Sequence, residues 1–405
     1  MTARARVNGE GSIYAYRGGY AAYAWVTTPV GLRQRKYVYG RTREAVHAKW
    51  LDLHRQAGRG PVATRVPTLE AYLAYWLKEI VRPHLAPTTA SSYDMFARLY
   101  INPDFGHRRL DKLSVRDVQT WLGRLRDRCQ CCTQGKDLTR PQPRCCALGA
   151  CCHQVASPRT VRDAWTTLRI ALGNAVREEL LARNVAALVR VPKARSHKPK
   201  PWSVEEARQF LESARSDNDP LYTGYMLILV LGLRRGEALG LGWEDVDLDA
   251  GELRVAWQLQ RVGGRLLRRQ TKTESSDAPL PLPDICTAAL KERRERQDEW
   301  RDRAGPAWQG TDFVINTRFG LPVEPRNFHR DFKARCAKAG VRPISVHSTR
   351  RTCASLLVAL DVHPRVAMQV LRHSQIAITM NVYSEVSSAE TRTALRRLGE
   401  QLQGA

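Results

Sequence analysis

A basic, proline-rich segment at residues 191–201 divides this chain into two parts that cannot share one continuous helix or strand. Its eleven positions contain three prolines and four lysines or arginines. Because proline lacks the backbone N–H that helices and sheets need, we predict an extended linker. Such a linker either follows a phosphate backbone or forms a solvated hinge. With 405 residues, the chain has room for two or three domains.

The chain is strongly basic, with 65 Lys and Arg residues against 40 Asp and Glu residues and a formal net charge of +25. An enzyme of small acids or sugars rarely needs this excess, whereas a protein that neutralises phosphates along a DNA duplex does. A composition that is 43% hydrophobic and 26% charged is typical of globular domains and excludes a disordered chain.

Two hydrophobic features bear on the cellular compartment. The longest apolar run, residues 225–233, is too short to cross a bilayer, and residues 1–13 lack the hydrophobic stretch of a secretion signal. We therefore expect a cytoplasmic protein with no membrane partner.

Residues 1–65 form a distinct unit with twelve Lys and Arg residues and three acidic ones. Short aromatic and β-branched runs, separated by Gly- and Pro-containing turns, predict a three-stranded sheet. Thr42 is a candidate N-cap for a helix through Gln56. A small basic sheet with one helix is suited to reading a DNA groove. Alternatively, its charge is the solvated surface of an ordinary small domain.

Residues 66–190 have the periodicity of amphipathic helices, with predicted bounds of 68–80, 88–100, 114–125 and 158–181. Ser114 and Asp117 make a capping-box pattern at the start of the third helix. A cysteine-rich insertion at residues 129–152 interrupts this helical domain.

Residues 202–405 have the pattern of an α+β domain. A second capping-box pattern, Ser203 with Glu206, precedes an apolar helix at 221–233. Short strands are predicted at 252–262, 265–272 and 278–282, and helices from residue 283 to the end.

Four short islands in this last domain contain side chains suited to a phosphodiester. Arg234 presents a planar fork for two phosphate oxygens, or it simply pairs with the nearby Glu237. Lys272, predicted in a turn between strands, either is a solvated charge or protonates a leaving oxygen. The other two islands are a His-x-x-Arg pair on one helical face, His347 with Arg350, and His373 followed ten residues later by Tyr383.

Tyr383 needs such neighbours to react. A tyrosine with its ordinary pKa of about 10 is a poor nucleophile at neutral pH. Two or three cations around a phosphate would favour both the phenolate and the pentavalent transition state. The islands are therefore far more informative together than any one of them is alone.

The order Arg, Lys, His-x-x-Arg, His, Tyr resembles the tyrosine recombinases of the phage integrase family. Residues 231–241 and 371–383 are similar to that family's T-G-x-R-x-x-E and L-G-H…T…Y patterns. The resemblance covers the whole chain, and it implies a multidomain, mainly α protein. Its parts would be an arm-type DNA-binding domain at 1–65, a helical SAM-like core-binding domain at 66–190, the linker at 191–201 and an α+β catalytic domain at 202–405.

The resemblance also implies a role for each candidate. Tyr383 attacks the scissile phosphate and forms a 3′-phosphotyrosyl linkage, while Arg234 and Arg350 hold the non-bridging oxygens. By the same resemblance, Lys272 protonates the departing 5′-oxygen, and His373 is a further hydrogen-bond donor. His347 acts as a general base or orienting group, and Glu237 orients rather than reacts. This chemistry requires no cofactor.

Three positions depart from the family pattern. Leu231 stands where the family has Thr, Arg351 where it commonly has His, and Arg372 where it commonly has Gly. None is expected to touch a proposed catalytic atom. The departures leave the packing around the site open and do not change the assignment.

Seven of the ten cysteines lie in the insertion: Cys129, Cys131, Cys132, Cys145, Cys146, Cys151 and Cys152. With His153 they supply eight potential ligands, enough for two tetrahedral zinc sites. A reducing compartment disfavours disulfides. The spacing departs from the usual C-x2-C pairs, so a metal-free, thiol-rich loop is the alternative. We predict structural zinc that stabilises the insertion without affecting the chemistry.

Together these features predict a site-specific DNA integrase of a phage or integrative element, acting on double-stranded attachment sites as a homotetramer. By resemblance, a directionality factor and a DNA-bending helper are expected partners. The amphipathic segment 389–402 would pack on a neighbouring protomer or on its own domain. The alternatives are a type IB topoisomerase, which relaxes DNA as a monomer, and a DNA-binding regulator with inert catalytic-like residues.

Overall fold

The computed structural model describes residues 13–29, 31–64, 66–191, 200–271 and 279–372. The chain divides into two compact units, residues 1–196 and 197–405. This division falls within the proline-rich segment that the sequence predicts to be a linker.

The first unit begins with an antiparallel sheet and one helix. Its elements are β1 (Tyr14–Tyr16), β2 (Gly19–Thr27), β3 (Arg33–Gly40) and α1 (Arg43–Arg59), with the strands in the order β1-β2-β3. Because side chains alternate along a strand, Ala22, Ala24 and Val26 face inward and join a core with Val46 and Trp50 of α1. The Thr42 side chain accepts a hydrogen bond from the Ala45 N–H at 3.2 Å, so the predicted N-cap is confirmed.

A helical bundle follows in the same unit. Its main helices are α2 (Leu69–Tyr75), α3 (Pro87–Phe96), α4 (Val115–Asp127) and α5 (Pro158–Arg177). α2 and α3 continue through π-helical turns (Trp76–Val81 and Ala97–Ile101) into short helices (Arg82–His84 and Asn102–Phe105), and 3₁₀ turns lie at Leu110–Lys112 and Val185–Leu188. Trp76, Trp121 and Leu168 are fully buried in the bundle core.

The ends of these helices follow local chemistry. The capping box between Ser114 and Asp117 is present as predicted. α5 ends four residues earlier than the predicted residue 181, because Glu179 adopts a left-handed conformation with φ +58° and the Leu180 N–H donates back to the Ala175 carbonyl at 2.9 Å.

The second unit contains seven further helices within its described residues. They are α6 (Val204–Ser216), α7 (Tyr222–Val230), α8 (Arg235–Gly240), α9 (Asp284–Ala304), α10 (Pro325–Lys338), α11 (Ser348–Ala359) and α12 (Pro364–Leu371), with 3₁₀ turns at Trp243–Asp245 and Gly305–Ala307. Phe210, Tyr225 and Phe332 pack with ring centroids 5.1–5.9 Å apart in its core. Residues 308–324 are irregular, where the sequence had predicted continuing helices.

Where the second unit is described, five short strands accompany these helices: β4 (Val246–Asp247), β5 (Glu252–Leu253), β6 (Trp257–Val262), β7 (Arg265–Gln270) and β8 (Leu280–Pro281). β4, β5 and β8 form one sheet, whereas β6 and β7 form a separate hairpin. The single strand predicted at 252–262 is therefore wrong. It splits because the chain changes its partner: up to Arg254, whose N–H donates to the Asp245 carbonyl at 2.8 Å, it pairs with β4, and from Trp257 it pairs with β7.

The predicted mainly α architecture, with a small N-terminal sheet and an α+β C-terminal domain, is confirmed. Among the described residues, none of the helices combines the length and apolar character that crossing a membrane requires.

Candidate active site

A tight turn after α7 places Arg234. Gly232 adopts φ +59°, a conformation that L side chains rarely take, and it ends the predicted helix at Val230 rather than Leu233. A Cβ at this position would lie 2.8 Å from Leu371 and 3.2 Å from the Cys353 sulfur. Glycine is therefore required here both by the backbone and by the close approach of α11 and α12.

Arg234 and Glu237 form a reciprocal cap at the start of α8. The Arg234 N–H donates to Glu237 Oε2 at 2.9 Å, and the guanidinium donates to Oε1 at 2.6 Å. The Glu237 side chain is 4% exposed, whereas that of Arg234 is 45% exposed. The simple pairing that the sequence left open is thus present, and it also orients Arg234 so that an external anion can reach it.

Glu237 binds a second arginine from a distant part of the chain. Arg372, the residue after α12, donates to Glu237 Oε2 at 3.1 Å, and both side chains are buried. Burial raises the pKa of Glu237, but Arg372 and Arg234 outweigh it and hold that pKa below its ordinary value. Glu237 is therefore ionised at neutral pH and orients cations rather than transferring protons.

Arg350, in the first turn of α11, ties this region together. Its guanidinium donates to the Gly232 carbonyl at 2.7 Å and to the Leu371 carbonyl. One side chain thus links the turn before Arg234 with the end of α12. Burial, reinforced by Arg234, lowers the pKa of Arg350.

His347 immediately precedes α11 and shares the positive field of the site. Burial lowers its pKa from the ordinary value, and Arg350, Arg234 and Arg351 lower it further. The imidazole is consequently neutral near pH 7, the form that accepts a proton. The departure at Arg351 thus adds positive charge close to His347.

Sequence reasoning missed the contact made by Arg372. The residue was noted only as a departure from glycine, yet it sits in a left-handed conformation, φ +50°, with its charge directed into the site. The available signal was the charge of Arg372 at a position where the family pattern commonly has glycine. Only the fold shows that the charge meets Glu237.

Three proposed catalytic residues, Lys272, His373 and Tyr383, lie outside the described residues. The chain just before Lys272 is anchored, because the Thr271 N–H donates to the Ala256 carbonyl at 2.8 Å and its hydroxyl to the Val255 carbonyl at 3.2 Å. The roles of all the proposed catalytic residues stay predictions.

The cysteine-rich insertion lies apart in sequence, between α4 and α5. Its seven cysteines are free thiols, and their sulfurs form two groups of four in which all members lie within 4.8 Å of one another. The groups are Cys129, Cys132, Cys146 and Cys151, and Cys131, Cys145, Cys146 and Cys152. His153, the eighth predicted ligand, belongs to neither group of the described residues.

Comparison with known proteins finds two family models that match parts of this chain. Residues 203–390 match the model of the phage integrase family, and residues 68–126 match the N-terminal SAM-like domain of phage integrases. The first match spans every proposed catalytic position, including those outside the described residues.

The chain belongs to the phage integrase family of tyrosine recombinases.

One curated relative and two solved structures show what this recombinase is similar to. A tyrosine recombinase XerC-like protein of Caldanaerobacter subterraneus subsp. tengcongensis is 26% identical, over 93% of this chain and 96% of its own. The Tn1549 transposon integrase bound to transposon right end DNA has a TM-score of 0.64 at 17% identity, covering 82% of this chain and 99% of that one. A lambda integrase tetramer bound to a Holliday junction has a TM-score of 0.51 at 16% identity, covering 91% and 96%. These two structures show a shared fold.

Proposed function

We propose that this recombinase is a site-specific DNA integrase of a phage or integrative element that works through a covalent 3′-phosphotyrosyl intermediate. The observation that carries the proposal is that Arg234, His347 and Arg350, from segments more than a hundred residues apart, share one positively charged region. Arg234 is bound to Glu237, Arg350 is bound to the turn before Arg234, and both arginines lower the pKa of His347. The sequence then adds Lys272, His373 and Tyr383 in the family order. A cationic cluster of this kind binds a phosphate and stabilises the charge of its pentavalent transition state.

In the proposed reaction, the Tyr383 oxygen forms a bond to the scissile phosphorus as the bond to the 5′-oxygen breaks. The Tyr383 proton passes to His347, whose lowered pKa keeps it neutral and able to accept. Lys272 gives a proton to the departing 5′-oxygen. Arg234 and Arg350 hold the non-bridging oxygens, and His373 adds a donor.

The ester keeps the bond energy of the broken phosphodiester. A 5′-hydroxyl from a partner strand can therefore attack the phosphotyrosine, release Tyr383 and reseal the DNA. We propose that neither ATP nor a catalytic cofactor takes part, since each step exchanges one phosphodiester for another.

Strand exchange between two duplexes requires four active sites, and we propose a homotetramer on DNA. The lambda integrase tetramer on a Holliday junction supports this assembly. An apolar groove of about 720 Å³ in the second unit also supports it. The groove is lined by Leu211, Met226, Ile285, Leu356, Leu357 and Leu360. The amphipathic segment 389–402 of a neighbouring protomer is the proposed occupant. A directionality factor and a DNA-bending helper complete the proposed partners, and the cytoplasm, where bacterial DNA lies, is the proposed compartment.

We propose that residues 1–65 bind arm-type DNA sites through the open face of the sheet. Arg35 lies over the rings of Tyr23 and Trp25, each at 4.8 Å, and Arg33 lies 5.2 Å from Trp25. Arginine beside exposed aromatic rings is a favourable surface for phosphates and bases. The domain bounds 1–65, 66–190 and 202–405 are part of the same proposal.

The cysteine-rich insertion is proposed to hold structural zinc and to take no part in strand cleavage. Sulfur pairs at 3.7–3.9 Å are too far apart for disulfides and suit tetrahedral thiolate coordination.

The test of the catalytic proposal uses a duplex that contains the attachment site and a nick just beyond the scissile phosphate. The short fragment that leaves with the free 5′-hydroxyl then diffuses away and cannot reseal the strand. Wild type is expected to accumulate a covalent protein–DNA adduct, and Tyr383→Phe to give none. Tyr75→Phe, an exposed tyrosine elsewhere in the chain, is the matched control and should behave as wild type.

An adduct that forms with Tyr383→Phe, or no adduct with wild type, would contradict Tyr383 as the nucleophile. If wild type binds the DNA but forms no adduct, the result favours a DNA-binding regulator with inert catalytic-like residues. Four-armed junction products with two attachment sites support recombination. Relaxation of a supercoiled plasmid without such junctions supports the topoisomerase alternative.

A further inference from the structure

The two four-thiol groups of the insertion share one residue, Cys146. We propose that the insertion binds two zinc ions in a single cluster, in which all seven cysteines are ligands and the Cys146 thiolate bridges both metals. The inference rests on the proposed structural zinc and goes further, since it fixes the stoichiometry, the ligand set and the bridging atom.

The number of thiols supports a shared ligand. Two separate tetrahedral zinc sites need eight donors, whereas the insertion has seven cysteines. His153 is not the eighth donor, because its ring belongs to neither group and only its backbone N–H contacts the cluster, donating to the Cys151 sulfur at 3.4 Å. A bridging thiolate completes both tetrahedra without another residue.

The distances between sulfurs support the same arrangement. With Zn–S bonds of about 2.3 Å, two sulfurs of a tetrahedron lie about 3.8 Å apart. In one group, Cys129 to Cys146 is 3.8 Å and Cys132 to Cys151 is 3.7 Å.

The second group has the same spacing. Cys131 to Cys145 is 3.9 Å and Cys146 to Cys152 is 3.7 Å. Cys129 and Cys152, one from each group, are 3.8 Å apart, so the two groups lie side by side. In an iron–sulfur cluster, inorganic sulfide bridges the metals and holds the cysteine sulfurs of different irons farther apart. The short distance between Cys129 and Cys152, which belong to different groups, therefore favours zinc joined by a thiolate.

The backbone of the insertion is built to hold the shared cysteine in place. The carboxylate of Asp137, which is 1% exposed, accepts hydrogen bonds from the N–H groups of Arg144, Cys145 and Ala147 at 2.8–3.1 Å. The chain then turns at Gly149, φ +80°, whose N–H donates to the Cys146 carbonyl. Asp137 thus fixes the loop that carries Cys145 and Cys146 from a position outside the ligand set.

The base of the insertion is joined to the helical bundle. The Gln130 N–H donates to the Gln154 carbonyl at 2.7 Å, and the Ala156 N–H to the Leu125 carbonyl at 3.3 Å. Metal binding therefore closes a loop whose ends the bundle already holds near each other. No step of the proposed DNA chemistry depends on the bound metal.

The first test is elemental analysis of the purified full-length chain after removal of weakly bound metal. Two zinc ions per chain are expected. One zinc per chain would overturn the shared cluster while leaving the structural zinc proposal standing, and no zinc would overturn both.

Variants test the bridge. When a chromophoric chelator competes for the metal, Cys145→Ala is expected to lose one zinc readily and keep the other, whereas Cys146→Ala should lose both. His153→Asn, which keeps a residue that tolerates the left-handed backbone, is the matched control and should retain two. Equal losses from Cys145→Ala and Cys146→Ala would overturn the bridging role.

Cadmium substitution of the wild-type chain keeps the proposal falsifiable if the Cys146 variant does not fold. Cadmium NMR should show two resonances in the range of thiolate coordination, split by coupling through the shared sulfur. Two uncoupled resonances, or a single one, would overturn the bridge.

Discussion

Glu237 is the residue at which the charges of the proposed active site meet. It is buried, it accepts hydrogen bonds from Arg234 and Arg372, and its lowered pKa keeps it ionised. Its favourable interactions are therefore present at neutral pH and above its unfolded pKa, and they are lost as the pH falls through its lowered folded pKa. A carboxylate held in this way fixes the direction of Arg234, the proposed phosphate-binding arginine.

Arg372→Met should remove one of the two cations that lower the pKa of Glu237. We expect a loss of about 2 kcal/mol of unfolding free energy, typical of a lost charge-assisted hydrogen bond. Because the pKa of Glu237 rises in the variant, the acid-side fall of single-turnover cleavage should move to higher pH. Arg365→Met, at an exposed arginine on α12, the helix that Arg372 follows, is the control and should change neither quantity. A pH profile that overlays the wild-type profile would show that Arg372 does not act through Glu237.

At the scale of the element, the turn at Gly232 decides whether α7, α8, α11 and α12 bring their side chains together. Its carbonyl accepts from Arg350, and its missing Cβ leaves room for Leu371. The turn therefore couples the position of Arg234 to the packing of two later helices.

Gly232→Ala should lower the free energy of unfolding by more than the backbone penalty of a left-handed alanine, which is about 1–2 kcal/mol. Gly251→Ala is the matched control, since Gly251 has φ +67° and open space where a Cβ would stand. Denaturant unfolding of both variants should show the larger loss at Gly232, together with slower cleavage. Equal losses would mean that Leu371 and Cys353 move aside without cost.

The open face of the N-terminal sheet is the second element with a testable role. Arg33→Ala and Arg35→Ala together should weaken binding to distal arm sites. Each lost phosphate contact should reduce the dependence of log K on log salt by about one. Core-site cleavage should be unchanged, and Arg55→Ala on α1, 71% exposed at its side chain, serves as the control. An unaltered salt slope for arm-site binding would refute this surface as the arm-site reader.

At the scale of the whole molecule, the proposed tetramer depends on a surface that the described residues of one chain leave exposed. The apolar groove between α6, α9 and α11 includes Leu360, which is 74% exposed. An apolar groove of this size is a favourable docking surface for an amphipathic helix.

Leu360→Glu should weaken assembly on DNA without destabilising the fold, because the side chain is already largely in water. Native mass spectrometry or gel shifts on a synthetic Holliday junction should show fewer tetramers, while monomer binding to a half-site stays at the wild-type level. Leu138→Glu is the control, with a leucine 75% exposed in the insertion. Wild-type levels of tetramer in Leu360→Glu would contradict the groove as the assembly surface.

The sequence by itself determined the fold class and the helix starts, because these depend on neighbours in the chain. Thr42, Ser114 and Ser203 cap helices as predicted, since each side chain accepts from a backbone N–H only three positions further along the chain. It also supplied the identity and order of the groups proposed for phosphate chemistry. It misplaced the ends of α5 and α7 and joined β5 to β6, where left-handed residues and tertiary hydrogen bonds ended the elements.

Only the tertiary structure decided which charges meet. Arg372 and Glu237 are 135 residues apart, so no local pattern links them. The sharing of Cys146 between two thiol groups depends in the same way on a loop that a buried aspartate folds back on itself. Local propensity is a property of adjacent residues, whereas burial and the pairing of distant charges exist only once the chain has packed.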